Sequence, residues 1–323
     1  MSCSAGRKPM LYEILYPVIY LRSFARIRNA RPEPQLAQFR SLKSRLRRLD
    51  IHALTAISPF AGAWLALHRF ERTSAPARPA GASQPIDRII QTEKGRLAVR
   101  FSGDERAKRV LLIHGWNADS SMILPLVTAL TQNGFRVIYP DLPGDGASTS
   151  KPMSFHEKGR MIARYCAVYG PFDCVIGHSA GGLIAAIALE EGLQAHRLVT
   201  ICAPQSLTSL LQAYLVQTGA PERLQHVISH AYRRLRRCSP CDAGHSTFAR
   251  FQDKLLVIHA NSDWQVLVEE AYSIVTSAPQ AKAMFLDDCN HRSILGHPSL
   301  VEGIAAFLGG YPETARWADA DAV

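Results

Sequence analysis

The sequence has no run of twenty uninterrupted apolar residues, few aromatic side chains (8%) and no internal repeat. With 47% apolar and 20% charged residues over 323 positions, it is neither a disordered tail nor a collagen-like repeat. A secretory signal is not expected. Met10–Leu21 is apolar but holds Glu13 and Pro17, and Arg22, Arg26, Arg28 and Arg31 follow it instead of a small-residue cleavage pattern. That stretch is also too short to span a bilayer. Ile51–Leu67 is longer but contains Thr55, Ser58, Pro59 and Gly62, which predicts a packed helix pair. The seven cysteines form no disulfide framework, and several, such as Cys174 and Cys202, stand in apolar runs. A cytoplasmic protein, attached to a membrane at most peripherally, is the expectation.

The charge is +10, and its distribution is uneven. Residues 1–80 carry 14 Lys+Arg against 4 Asp+Glu, and residues 81–323 carry 23 of each. The first quarter reads as a basic helical N-terminal extension. Leu36, Phe39, Leu42, Leu46 and Leu49 recur at steps of three and four, with Arg40, Lys43, Arg45, Arg47 and Arg48 mostly off that stripe. A solvated helix face packed on the main domain accounts for this. An amphipathic basic helix on an anionic membrane or an acidic partner is the sharper alternative. Few aromatics are interleaved with the arginines past residue 24 and no recognition motif appears, which gives no reason to expect nucleic acid.

Thr73–Gln84, rich in Pro, Ala, Ser and Gly, reads as a linker to a second unit over 81–323. Strands are predicted at Arg88–Gln91, Arg96–Phe101, Val110–Ile113, Arg136–Tyr139, Asp173–Ile176, Arg197–Ile201, Leu255–His259 and Ala283–Leu286. Helical stretches at Ser121–Gln132, Glu157–Tyr169, Ala180–Glu190, Val266–Thr276 and Leu300–Leu308 fall between or after them. This alternation predicts an α/β fold with a mostly parallel sheet covered on both faces, its first two strands forming an antiparallel hairpin.

Asp173–Ile176 runs into Gly177-His-Ser-Ala-Gly181, and a helix follows. This is G-x-S-x-G in the strand–turn–helix context that its chemistry needs. The serine must project its hydroxyl from a sharp turn. Glycines on both sides keep Cβ atoms out of the crossing. A serine hydroxyl is a weak nucleophile, so it requires a base and an acid that orients the base, in the order Ser, Asp or Glu, His. Asp263 lies in the turn after Leu255–His259, and His291 just past the strand Ala283–Leu286. Asp287 and Asp288 come too soon after that strand, Asp253 precedes its own strand, and His297 reads as a helix cap. His259 is a strand residue and His178 a packing residue in the elbow. Ser179, Asp263 and His291 are therefore the candidate catalytic residues. Oxyanion donors are expected from the N–H of Ala180, after the serine, and of Trp116, in the loop His114-Gly-Trp116.

His114-Gly-Trp116, Asp141-Leu-Pro-Gly-Asp-Gly-Ala-Ser148, Gly177-His-Ser-Ala-Gly181, Asp263 and His291, in that order, resemble the α/β-hydrolase superfamily over about residues 86–310. The resemblance implies an eight-stranded sheet, a Ser-Asp-His triad and a helical lid between strands six and seven. It gives Asp141–Ser148 a structural role. Members that open epoxides or haloalkanes place Asp where Ser179 stands, which argues against those activities.

Residues 203–252 are too long for a plain connection, and helices at Ser206–Thr218 and Pro221–Arg237 predict a lid. Leu207, Leu210, Leu211, Tyr214, Leu215 and Val216 either line an acyl pocket or dock the lid. Arg233, Arg234, Arg236 and Arg237 have no carboxylate neighbour in sequence. Cys238 and Cys241, with His226, His230 and His245 nearby, have a zinc-like spacing, but the surrounding arginines would repel a cation. No metal or other cofactor is expected. The sequence thus predicts a serine hydrolase acting on a small-molecule ester or thioester. A thioesterase or acyltransferase serving carrier-bound acyl groups is the alternative. A non-catalytic binding protein is the third reading, disfavoured because no triad position is lost.

Overall fold

The computed structural model describes residues 42–73, 85–240 and 243–309. The segment Leu11–Tyr20, most of the Leu36–Leu49 stripe, most of the Thr73–Gln84 linker and Cys241 lie outside the described side chains.

The expected helix pair is present as α1 (Leu42–Ile57) and α2 (Pro59–Glu71). Ser58 breaks the chain between them. Its backbone is extended and its hydroxyl accepts the N–H of Ala61, and Pro59 opens α2, where a missing N–H costs nothing. Gly62 of α2 faces Thr55 of α1 so closely that a Cβ there would collide with the threonine hydroxyl. Ala63, Ala66, Leu67 and Phe70 of α2 are buried in the same cluster as sheet residues Leu97, Leu111 and Val175. This helix is therefore part of the core rather than an appendage to it.

The strands are β1 (Arg88–Thr92), β2 (Gly95–Ser102), β3 (Lys108–Ile113), β4 (Phe135–Pro140), β5 (Thr149–Ser150), β6 (Phe172–His178), β7 (Ala195–Ile201), β8 (Leu255–Ala260) and β9 (Lys282–Leu286). They order as β1-β2-β4-β3-β6-β7-β8-β9, with β5 against β2. The β1–β2 and β2–β4 pairs are antiparallel, and pairing is parallel from β4 through β3 to β9. The eight expected strands form the main path. The ninth, β5, is a two-residue pairing that the eight-strand expectation missed. In the central strands alternate residues feed opposite cores. Leu111, Ile113 and Val175 enter one, and Val110, Leu112, Cys174 and Ile176 the other.

Helices α3 (Leu124–Gln132, after a 3₁₀ turn at Ser120–Ile123), α4 (Phe155–Cys166), α5 (Ala180–Glu190), α9 (Val268–Ser277) and α10 (Pro298–Phe307) cover the sheet. Ser154 and Glu157 cap α4 reciprocally. The turn after β4 is built on Asp141. This buried carboxylate pairs with Arg100 at 2.9 Å and accepts the N–H groups of Ser120 and Ala147, each at 2.8 Å. Gly146 has φ +56, and a Cβ there would lie 2.5 Å from that carboxylate, so the motif Asp141–Ser148 requires glycine at this place.

The insertion holds α6 (Leu207–Thr218), α7 (Arg223–Arg236) and α8 (His245–Phe251), the last not foreseen. Leu207, Leu211 and Leu215 are fully buried and dock α6 on the core. One expectation about α7 is overturned. Arg236 has a carboxylate partner, Glu71 of α2, with Nε 2.7 Å from Oε1. The two residues are 165 positions apart, so no local reading could pair them. Burial pushes the Glu71 pKa up against the pull of this arginine.

Candidate active site

Ser179 ends the β6 strand–turn and precedes α5 with φ 55 and ψ −133, a conformation that side-chain-bearing residues rarely adopt. The crossing around it is tight. A Cβ on Gly177 would sit 2.5 Å from the Gly181 carbonyl oxygen, and one on Gly181 would strike the carbonyl oxygens of Ile113 and His114. The serine N–H is held by the Ile201 carbonyl at 2.8 Å, while its side chain is only half-buried. The backbone that carries the hydroxyl is thus fixed, and the residue is still reachable.

The structure brings the expected acid and base together. His291 Nδ1 lies 2.6 Å from Asp263 Oδ2, and both residues are buried. Asp263 Oδ1 accepts the N–H groups of Gln265 (2.8 Å) and Val266 (3.1 Å), which fixes the carboxylate within its own turn. Burial raises the Asp263 pKa. The neighbouring His291, the hydrogen bond to it, His259 and the backbone donors outweigh burial, so the group titrates below the usual carboxylate range. His291 sits in a turn where the Asn290 side chain accepts the N–H of Arg292 (3.0 Å) and Ser293 (3.1 Å). Its carbonyl accepts the His178 Nε2–H at 2.8 Å, and the two rings lie 4.8 Å apart. His178 therefore does more than pack, because it anchors the backbone of His291 from the residue next to Ser179.

The set-aside residues fall elsewhere. Asp287 is exposed and accepts the Asn261 side-chain amide at 3.0 Å. Asp253 lies in the turn before β8, and His297 caps α10. His259 is a buried β8 residue whose Nε2 approaches the Val266 carbonyl at 3.0 Å and Asp263 at 3.7 Å.

The loop after β3 packs on the serine. A Cβ on Gly115 would lie 3.1 Å from Ser179 Cβ. Leu142 N–H donates to His114 Nε2 at 2.9 Å, so the ring proton is on Nδ1, which donates to the Gly115 carbonyl at 2.9 Å. In a trans peptide the N–H points opposite to the carbonyl, so this bond turns the Trp116 N–H away from His114. Ala180 is the first residue of α5 and is buried, so its N–H stands at a helix N-terminus beside Ser179. The Trp116 indole is tied to α2, with its Nε1–H donating to the Phe70 carbonyl at 2.8 Å.

Ser179, His291, His178, Gly115 and Trp116 line one cavity of about 90 Å³. Leu210 and Tyr214 of α6 join them, whereas Leu207, Leu211 and Leu215 do not. The α6 stripe therefore divides between lining the pocket and docking. Sequence reasoning missed Phe70 and Arg292, which also line the cavity. Nothing local marks Phe70, but the position of Arg292 beside His291 was a usable signal. Among the described residues one cluster has metal-ligating side chains within reach of one another: Cys202, Asp263 and His291. Two of these already bond each other.

The model of the alpha/beta hydrolase family matches residues 110–304, more than half of the chain. The chain belongs to the alpha/beta hydrolase family. As an alpha/beta hydrolase it also resembles solved structures. A putative lipase from Acinetobacter baumannii is 19% identical, with 68% of this chain and 90% of that one covered and a TM-score of 0.52. An esterase from Rhodococcus sp. is 18% identical (70% and 99% covered, TM-score 0.52), and a hydrolase from Pseudomonas aeruginosa 22% identical (69% and 98%, TM-score 0.52). At these identities the likeness concerns the fold. No curated protein matches the sequence.

Proposed function

We propose that this alpha/beta hydrolase cleaves carboxylic ester or thioester bonds through Ser179, His291 and Asp263. The observation that carries this reading is the 2.6 Å contact between buried Asp263 and His291, with His291 facing the same cavity as a serine in a positive-φ elbow. Ser179 Oγ attacks the carbonyl carbon while His291 Nε2 takes its proton. Asp263 keeps the imidazole oriented and favours its protonated form. The tetrahedral oxyanion accepts hydrogen bonds from the Ala180 and Trp116 N–H groups. Collapse breaks the carbonyl–oxygen or carbonyl–sulfur bond, and the leaving group takes the proton from His291. Water, deprotonated by His291, then attacks the acyl-serine and releases the acid. Residues 203–252 act as the lid over this centre. Ser179→Ala is expected to lower turnover of p-nitrophenyl esters by at least about 10³-fold, and unchanged turnover would refute the assignment.

A second reading, hydrolysis or transfer of carrier-bound acyl groups, is favoured by Arg292. It lines the cavity beside His291, and no carboxylate pairs with it among the described residues. A cation there suits a phosphate-bearing thioester. Higher kcat/KM for acyl-thioesters than for matched esters distinguishes this reading.

The basic extension is assigned to an anionic bilayer surface. Among the described residues the exposed large apolar side chains are Leu49, Ile57, Phe60 and Trp64 on α1 and α2 and Ile86, Ile89, Val168 and Tyr272 elsewhere, and the Arg234 guanidinium lies 5.5 Å from the Phe60 ring centre. Aromatic and aliphatic side chains next to cations match the chemistry of an interfacial anchor.

A further inference from the structure

We propose that Phe70, carried by α2 outside the stretch matched by the family, is the specificity-determining wall of the Ser179 cavity and restricts it to short acyl groups. The proposal rests on the reading of this site as an ester-cleaving one.

Phe70 is fully buried and lines the cavity that holds Ser179 and His291. Its ring stacks on Trp116 (centroids 5.3 Å apart) and on Phe155 of α4 (5.1 Å), and it meets Tyr214 of α6 at 5.2 Å. A ring held by three aromatic neighbours cannot swing aside without breaking those contacts. The backbone is held as well, because the Phe70 carbonyl accepts the Trp116 indole N–H at 2.8 Å. The next residue, Glu71, is ion-paired with Arg236 of α7. The wall is thus tied to the loop carrying the second oxyanion donor on one side and to the insertion on the other. The family match covers residues 110–304, so this wall belongs to the chain's own N-terminal addition.

The space that remains is small. A dry apolar cavity of roughly 150 Å³ accepts a benzene ring of six carbons. The Ser179 cavity, about 90 Å³, is open to solvent on one side and partly polar, and its enclosed part holds fewer atoms than that. In proportion it takes an acyl chain of roughly four carbons. The Phe70 ring has no polar atom, so the acyl chain that lies against it is apolar, while the polar lining comes from His178, Gln217, Gln265, His291 and Arg292. Removing the Phe70 ring opens the cavity toward Phe155 and α4, where a longer chain would lie.

The test uses the full chain and p-nitrophenyl acetate, butyrate and octanoate, with Phe70→Leu and Phe70→Ala alongside the parent. Labelling of Ser179 by a short-chain fluorophosphonate reports a folded, competent site in each. The parent is expected to prefer butyrate over octanoate by about tenfold or more in kcat/KM. Phe70→Leu narrows this ratio, and Phe70→Ala shifts it about tenfold or more toward octanoate. A parent that cleaves octanoate as well as butyrate overturns the wall while leaving ester cleavage standing. Variants that label normally and keep the parental ratio overturn it too. If Phe70→Ala does not fold, the parental ratio and Phe70→Leu decide. A parent that neither labels nor cleaves any of the three esters removes the ester-cleaving reading and this proposal together.

Discussion

At Ser179 the chain holds a φ of 55, and such positions cost about 1–3 kcal/mol unless their surroundings enforce them. The enforcement is visible in the glycines on both sides and in the bond from the serine N–H to Ile201. His178, one residue earlier, shows a second kind of stress. It is fully buried, and burial, followed by the proximity of His291, depresses its pKa from 6.5 to about 3. Its folded value lies below its unfolded value, so the unfolded chain takes up the proton first. Stability is then flat above pH 6.5 and falls as pH drops from 6.5 toward 3, with a slope of up to about 1.4 kcal/mol per pH unit from this one group. Urea unfolding at pH 7 and pH 5 tests this. His178→Gln, which keeps a donor for the His291 carbonyl, is expected to lose less stability between the two than the parent. Equal losses would place the acid sensitivity elsewhere.

Among the elements, the crossing of α1 and α2 sets where Phe70 lies, and Gly62 permits that crossing. A methyl group there has no room against Thr55. Gly62→Ala is expected to destabilise the protein by about 1–3 kcal/mol in denaturant unfolding, despite the better helix propensity of alanine. A neutral or stabilising result would mean that the two helices part without cost. The main elements were legible in the sequence because each has its own periodicity. The central strands β3, β4, β6, β7 and β8 are apolar runs rich in Val, Ile and Leu and largely buried on both faces, and the edge strand β1 alternates between exposed and half-buried residues from Ile89 to Thr92. The elbow announces itself because only glycine fits its crossing. Two-residue β5 has no period to read, and α8 is only seven residues long. That Asp263 and His291 meet followed from chain order and strand ends. The wall residue Phe70 did not, because its burial depends on contacts to Trp116, Phe155 and Tyr214, which are distant in sequence. The Arg236–Glu71 pair was invisible for the same reason.

For the molecule as a whole, the charge of +10 resides in residues 1–80, and the remainder is balanced. No described helix is long and apolar enough to cross a membrane. The proposed anchor is an electrostatic one, so its attraction should be screened by salt. The full chain is expected to co-sediment with phosphatidylserine vesicles at low salt, to be released by 0.5 M salt, and to bind phosphatidylcholine vesicles poorly. Trp64→Glu should weaken the sedimentation. Equal binding to both vesicle types would remove the electrostatic part of this reading. The region that bears the charge also places α2 against the cavity, so truncation at residue 80 would remove both the charge and Phe70. Point substitutions separate the two roles where deletion cannot.

The most direct test of the account is to map, by mass spectrometry of proteolytic fragments, the residue modified when the protein reacts with a fluorophosphonate. One adduct per chain is predicted, on Ser179, absent after Ser179→Ala and strongly slowed by His291→Ala. An adduct on another residue, or none on protein that is folded, would contradict it.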